Sequence, residues 1–238
     1  MAEWLSESPF AHRGLHGAET GYIENSISAF SAAIQNGYGF ELDVLLSQDG
    51  KAIVVHDENL LRLTGKDVNT IDKTRDNLSD IMLLNSQETI PSLSQVLEFT
   101  DDKAPILIEI KGDQQQFTDI ANAVWQDIKS YNGKVAIMSF YPEILNWFQD
   151  YQPNVLRGLV ATPLDDGSLP RGYFNEQKQI EFVTSLDIDF IAYDIRALPN
   201  PVTEYCRHHD IPVLTWTVRT DEDHSKAIQN TDNIIFET

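Results

Sequence analysis

Two carboxylates at alternate positions mark the stretch best suited to chemistry, FELDVLLSQDGKAIVVHD at residues 40–57. Successive side chains of a β-strand point to opposite faces, so Glu41 and Asp43 should project from the same face. Adjacent carboxylates repel each other unless a cation or a proton lies between them. The pair therefore predicts a cation site or a shared proton.

A histidine follows these carboxylates after a turn. The Asp-Gly pair at 49–50 is typical of a two-residue turn and predicts an antiparallel hairpin, because the connection is too short for the crossover that parallel strands need. With that turn Gln48 pairs with Lys51, and Asp43 lies opposite His56. The imidazole is then placed as a ligand or as an acid/base group. The alternative is a solvated strand edge, but the apolar residues between the charges indicate buried strands.

The composition is that of an acidic chain of one-domain size. Its 238 residues and 42% hydrophobic content suffice for a substantial core, and we expect a single domain over residues 1–238. The net charge of -20 argues against nucleic acid or an anionic membrane as a partner, although a small anionic substrate remains possible. The sole cysteine, Cys206, fits a cytoplasmic location, and no stretch resembles a secretory signal or a membrane anchor. The oligomeric state is not indicated.

Strand and helix patterns alternate along the chain. Counting the second hairpin strand as an accessory leaves eight strands, with helices between nearly all of them. This pattern favours an α/β fold, a closed (β/α)8 TIM barrel, over an open doubly wound sheet. Residues 58–91 show little periodicity, which indicates an inserted segment of the kind that often forms a lid or a binding loop.

In such a barrel the chemistry lies at the carboxyl ends of the strands. The first predicted strand ends in His12 and Arg13, and PILIEIKG carries Glu109 and Lys111 at alternate positions. Together with the hairpin this gives three carboxylates, which suit Mg²⁺ or Ca²⁺ better than zinc. The arginine and the lysine are suited to bind the oxygens of a phosphate.

Three further residues have two interpretations each. Phe140 and Trp216 lie near strand ends, where they line a substrate pocket or pack in the core, and the sequence favours neither. Glu24 stands at the start of the first predicted helix, and a place in its first turn is slightly favoured over a role in orienting Arg13 or a loop.

Several short motifs occur in one order along nearly the whole chain. They are AHRG, Glu24-Asn25-Ser26, ELDV, SQDG, VVHD, RLTG, IEIK, MSF and TWTV. In this series the chain resembles the glycerophosphodiester phosphodiesterases. The resemblance implies a TIM barrel with a small inserted segment before the IEIK strand. It also implies a divalent ion on Glu41, Asp43 and Glu109, and acid/base catalysis by His12 and His56.

The expected activity is metal-dependent hydrolysis of glycerophosphodiesters to glycerol 3-phosphate and an alcohol. The nucleophile is either water or the adjacent glycerol hydroxyl, and the sequence does not choose between them. The alternatives are a barrel phospholipase of the C or D type and a non-catalytic barrel that binds phosphate esters. Two positions depart from the family pattern: Ile23 stands where a proline is usual, and the last strand ends in Phe236-Glu237 where Thr-Asp is common.

Overall fold

The computed structural model describes residues 3–165, 167 and 169–238 of the chain. In chain order the strands are β1 (Phe10–Ala11), β2 (Gly39–Leu46), β3 (Ala52–Val54), β4 (Ile106–Ile110), β5 (Val135–Ser139), β6 (Arg157–Ala161), β7 (Phe190–Asp194), β8 (Val213–Val218) and β9 (Asn233–Phe236). All except β3 are parallel neighbours, and β1 pairs with both β2 and β9. This pairing closes an eight-stranded barrel, which confirms the predicted fold.

Helices follow most strands. They are α1 (Ile27–Gln35), α2 (Leu61–Thr64), α3 (Arg75–Ser79), α4 (Leu93–Thr100), α5 (Phe117–Ile128), α6 (Pro142–Tyr151), α7 (Glu176–Ser185), α8 (Pro201–His208) and α9 (Asp221–Asn230). Their starts follow local chemistry: the Ser26 hydroxyl accepts from the Ala29 backbone N–H, and proline occupies the first turn of α6 and α8. Within the described residues, no helix is both long and apolar enough to cross a membrane.

Alternate residues of the barrel strands divide between two cores. Ile106, Ile108 and Ile110 of β4 belong to the larger cluster with the helices, whereas Leu107 belongs to a smaller cluster with Phe10 and residues from most of the other barrel strands. The smaller cluster fills the barrel interior. Because side chains alternate, Glu109 shares a face with Leu107 and therefore points into the barrel. The same alternation directs the polar residues of the strand ends towards one cavity.

The hairpin of β2 and β3 is antiparallel, as predicted, but its register differs by one residue. Val44 pairs with Val54, so Asp43 lies opposite Val55, and the Val55 N–H donates to the Asp43 carbonyl oxygen at 3.1 Å. The predicted pairing of Asp43 with His56 is therefore wrong.

The turn explains the shift. The Ser47 N–H donates to the Lys51 carbonyl at 2.9 Å, so three residues form the loop instead of two. The Ser47 hydroxyl donates to the Asp49 carboxylate at 2.8 Å and accepts from the Lys51 N–H at 2.9 Å. Gly50 has a φ of 71°, which suits the left-handed third residue of such a loop. These side-chain bonds favour the longer loop.

Residues 58–91 pack against the hairpin. They contain α2, α3 and a short 3₁₀ turn at Thr70–Asp72. Their apolar side chains form a third buried cluster with residues of β2 and β3; its members include Leu45, Ile53, Leu60, Leu63, Leu78 and Ile90. The segment is thus held by a small core of its own, and the role expected from the sequence, a lid or a binding loop, remains a prediction.

Candidate active site

Three acidic side chains converge at the carboxyl ends of β2 and β4. Asp43 is the register partner of Glu109, and Glu41 precedes Asp43 on the same face of β2. All three residues are buried, and ligand oxygens from them lie within 4.8 Å of one another. Two of these oxygens, Glu41 Oε1 and Asp43 Oδ1, accept no hydrogen bond from any described residue. Unsatisfied buried carboxylate oxygens at this spacing fit a hard divalent cation.

The pKa shifts of the acidic cluster also indicate that it lacks positive charge. Burial, together with repulsion from Asp43 and Glu109, raises the pKa of Glu41 well above its usual value. Burial also acts on Asp43, but Lys111 and Arg13 outweigh it and hold the pKa of that carboxyl below its usual value. The three carboxylates therefore outnumber the two protein cations beside them, and Glu41 is the one left short of positive charge.

Arg13 and Lys111 lie directly against the carboxylates. The Lys111 ammonium is 2.5 Å from Glu109 Oε1 and 3.3 Å from Asp43 Oδ1. Arg13 donates its backbone N–H to Glu41 Oε2 at 2.9 Å, and its Nε is 3.2 Å from Asp43 Oδ2. Burial opposes the charge on Lys111, but Glu109 and Asp43 raise its pKa. Both side chains therefore carry positive charge into the cavity.

His12, just beyond β1, is held by a carboxylate at the other end of the chain. Its Nδ1 is 2.5 Å from Glu237 Oε1, and its Nε2 is 3.9 Å from Glu41 Oε2. Arg219 donates two further bonds to Glu237, at 2.7 and 3.0 Å. Burial alone would raise the pKa of Glu237, but the bonds from His12 and Arg219 lower it to about 2. The residue is thus an ionised partner for the imidazole.

His56, two residues after the end of β3, has a similar arrangement. Its Nδ1 is 2.7 Å from Asp57 Oδ1, and Arg62 donates from Nε to Asp57 Oδ2 at 2.5 Å. Burial and the nearby Lys111 lower the pKa of His56. In both histidines a carboxylate engages Nδ1, which leaves Nε2 as the nitrogen directed away from it.

Glu24 does not belong to the first helical turn, which was the favoured interpretation of its sequence position. Helix α1 begins at Ile27 with Ser26 as its cap. The Glu24 carboxylate instead accepts from Arg13 at 2.8 Å and from Arg62 at 2.7 and 2.8 Å. The helix-turn interpretation was therefore wrong, and the contact with Arg13 is present.

A cavity of about 440 Å³ lies at the centre of these contacts, and its lining includes His12, Arg13, Glu41, His56, Glu109 and Lys111. Two aromatic side chains, Phe140 and Trp216, also line it, and their rings meet edge to face with centroids 5.5 Å apart. The Trp216 indole also donates to the Ala192 carbonyl at 2.9 Å. Both rings are only partly buried and pack against the barrel interior, so each lines the cavity and takes part in the core.

The carboxylates that contact the two histidines, and the arginines that bind those carboxylates, were not predicted as site residues. Asp57 and Arg62 stood in quoted motifs, and Glu237 was noted only as a departure from the family pattern. For Asp57 its position directly after His56 was an available signal. Glu237 gives no such signal, because it lies 225 positions from its partner in the chain.

Comparisons with known proteins identify the family of this chain. The model of the glycerophosphoryl diester phosphodiesterase family matches residues 12–236. The chain belongs to this family. Its activity is that of a glycerophosphodiester phosphodiesterase, a phosphoric diester hydrolase. A glycerophosphodiester phosphodiesterase from Caldanaerobacter subterraneus subsp. tengcongensis is 30% identical over 92% of this chain and 88% of its own length.

Two solved structures show the same barrel. The glycerophosphodiester phosphodiesterase of Thermotoga maritima superposes with a TM-score of 0.77 at 28% identity, covering 95% of this chain and 92% of its own. An Oleispira antarctica phosphodiesterase, solved with its product sn-glycerol-3-phosphate, gives a TM-score of 0.82 at 20% identity. That match covers 98% of this chain and 93% of the other. The distant likeness supports the fold.

Proposed function

We propose that the chain hydrolyses glycerophosphodiesters to glycerol 3-phosphate and an alcohol in a metal-dependent reaction, with His12 and His56 as acid and base. The observation that carries the proposal is the pair of carboxylate-held imidazoles that share one cavity with the acidic cluster. The sn-glycerol-3-phosphate in the Oleispira antarctica structure supports the substrate class. The catalytic domain would comprise residues 1–238, with 58–91 inserted.

Glu41, Asp43 and Glu109 would hold the cation, either Mg²⁺ or Ca²⁺, because their ligand oxygens lie within 4.8 Å of one another and Glu41 Oε1 and Asp43 Oδ1 accept no hydrogen bond from a described residue. The ion would supply Lewis-acid neutralisation of charge on a non-bridging phosphate oxygen. Arg13 and Lys111 already lie against this cluster, so they would bind the remaining phosphate oxygens as charge develops.

One imidazole would take a proton from the nucleophile at Nε2 while the other gives a proton to the leaving alcohol. Glu237 and Asp57 would keep each ring in the orientation that directs Nε2 into the cavity. Phe140 and Trp216 would contact the glycerol or the alcohol group. The nucleophile is water or the glycerol hydroxyl, and the hydroxyl would give a cyclic phosphate.

The test is the release of glycerol 3-phosphate from sn-glycero-3-phosphocholine, with and without a chelator, followed by phosphorus NMR to detect a cyclic phosphate. We expect the chelator to abolish turnover and added Mg²⁺ or Ca²⁺ to restore it. His12→Ala and His56→Ala should lose about two to four orders of magnitude in kcat that no excess metal restores. Glu109→Gln should recover part of its activity at high metal.

His208→Ala is a matched control, since His208 is exposed at the end of α8 and outside the cavity lining. It should keep wild-type activity. Turnover that resists the chelator would contradict the metal dependence. If added metal rescues the two histidine variants as well as it rescues Glu109→Gln, the histidines are metal ligands. Full activity in His56→Ala would show that His56 takes no part in the reaction.

A further inference from the structure

A continuous line of charged side chains joins the inserted segment to the cavity. Arg62, on α2, donates from Nε to Asp57 Oδ2 at 2.5 Å, and from Nη1 and Nη2 to the two oxygens of Glu24 at 2.7 and 2.8 Å. Asp57 in turn engages His56, and Glu24 accepts from Arg13 at 2.8 Å. A single guanidinium thus binds both carboxylates that contact His56 and Arg13, two residues of the proposed mechanism.

The geometry of the contacts suits an arginine and no other cation. Three N–H groups from all three nitrogens of the fork reach two carboxylates, a pattern that requires a rigid planar donor set. A lysine ammonium is a point charge on a flexible stem and cannot hold two carboxylates at fixed relative positions. The guanidinium therefore fixes the relative orientation of the Asp57 and Glu24 carboxylates and also neutralises part of their charge.

Stability alone is a poor reason for this arrangement. Half of the Arg62 side chain is exposed, and ion pairs of exposed groups add little to folding stability. Both of its partners are more buried, and each contacts a group in the cavity. The chain segments that carry Glu24 and Asp57 are separate in the sequence, so the arginine joins two walls of the site.

Resting on the function proposed above, we propose that Arg62 is a positioning residue that orients His56 through Asp57 and Arg13 through Glu24. The inserted segment then contributes to catalysis by supplying this guanidinium. Loss of the link to His56 should lower kcat, because a misplaced proton-transfer group slows the chemical step. Loss of the link to Arg13 should raise KM, because phosphate binding weakens.

The experiment measures kcat and KM on sn-glycero-3-phosphocholine for Arg62→Ala and Arg62→Lys. We expect Arg62→Ala to lower kcat/KM about 10- to 100-fold, with losses in both constants, and Arg62→Lys to recover only a small part. Arg75→Ala is the matched control: Arg75 lies on α3 of the same segment, and its side chain pairs only with the exposed Asp76 among the described residues. It should keep wild-type constants.

The two links can be separated. Asp57→Asn should lower mainly kcat, and Glu24→Gln should raise mainly KM. If Arg62 acts through Asp57, adding Arg62→Ala to Asp57→Asn should lower kcat by less than the product of the two separate effects. Because the Arg62 side chain is half exposed, methylguanidinium at millimolar concentration should partly restore Arg62→Ala and should leave His56→Ala inactive.

Far-UV circular dichroism and the thermal midpoint show whether each variant folds. If Arg62→Ala does not fold, Arg62→Lys, Asp57→Asn and Glu24→Gln carry the test, and wild-type constants in all three would overturn the positioning role. Wild-type constants in Arg62→Ala, or independent effects of Arg62→Ala and Asp57→Asn, would overturn the positioning role. Full activity in His56→Ala is a different result, since it would overturn the proposed acid/base function instead.

Discussion

Replacement of Glu237 by glutamine removes the carboxylate that His12 and Arg219 share. Glu237 engages His12 Nδ1 through Oε1 and accepts two bonds from Arg219. An amide offers one acceptor oxygen and one donor NH₂ group, so it cannot accept on both sides. If the amide oxygen turns to Arg219, its NH₂ group meets His12 Nδ1. The ring must then carry its proton on Nε2 or turn away.

The size of the effect follows from the bond that is lost. A hydrogen bond to a charged group contributes about 1.5–3 kcal/mol. Since about 1.4 kcal/mol corresponds to a tenfold change in rate, the loss of the bond to His12 should lower kcat about 10- to 150-fold. KM should change less, because Glu237 lies behind the imidazole and Arg13 and Lys111 are the proposed phosphate-binding residues.

The assay is steady-state hydrolysis of sn-glycero-3-phosphocholine at neutral pH and saturating metal. Glu237→Asp keeps a carboxylate and should retain more activity than Glu237→Gln. Glu143→Gln is the control, because Glu143 accepts from the Tyr173 hydroxyl and lies outside the cavity lining. Wild-type kcat in Glu237→Gln, or equal losses in Glu237→Asp and Glu237→Gln, would refute the positioning of His12 by this carboxylate.

Two further predictions concern the same cavity. Because the folded state lowers the pKa of Glu237 from 4.5 to about 2, its ionised form should stabilise the fold fully above pH 4.5 and progressively less as the pH falls towards 2. Urea unfolding of wild type and Glu237→Gln across this range should show the difference in unfolding free energy shrinking, and a constant difference would contradict it. Phe140→Ala removes one ring of the edge-to-face pair with Trp216. An aromatic contact contributes about 0.5–1.5 kcal/mol, and the loss of a contact of that size with the substrate should raise KM about 2- to 12-fold. An unchanged KM in steady-state assays would assign Phe140 to packing alone.

The local sequence determined the elements and part of the site. Helices α1 and α8 begin where a polar cap or a proline marks the first turn, and both features are legible in the chain. Alternation within a strand is equally local, so it placed Glu41 and Asp43 on one face of β2, and Glu109 and Lys111 on one face of their own strand segment. The antiparallel hairpin followed from the shortness of its connection.

The hairpin also shows where local rules stop. A two-residue turn and a three-residue loop both accept Asp-Gly, and the bonds of the Ser47 hydroxyl select the longer one. A shift of one residue should direct His56 to the other face of the strand. It still lines the cavity because β3 ends at Val54, after which strand alternation no longer sets the direction of a side chain.

Only the tertiary structure decided which groups support the two histidines. His12 meets Glu237 because β1 and β9 are neighbours in the closed barrel, although 225 positions separate the two residues. Arg62 meets Glu24 because the inserted segment packs on the hairpin through apolar contacts. Local patterns specify elements through interactions a few residues apart. Contacts of this kind form only when the ring closes and the insertion packs, and no spacing within the sequence encodes their distances.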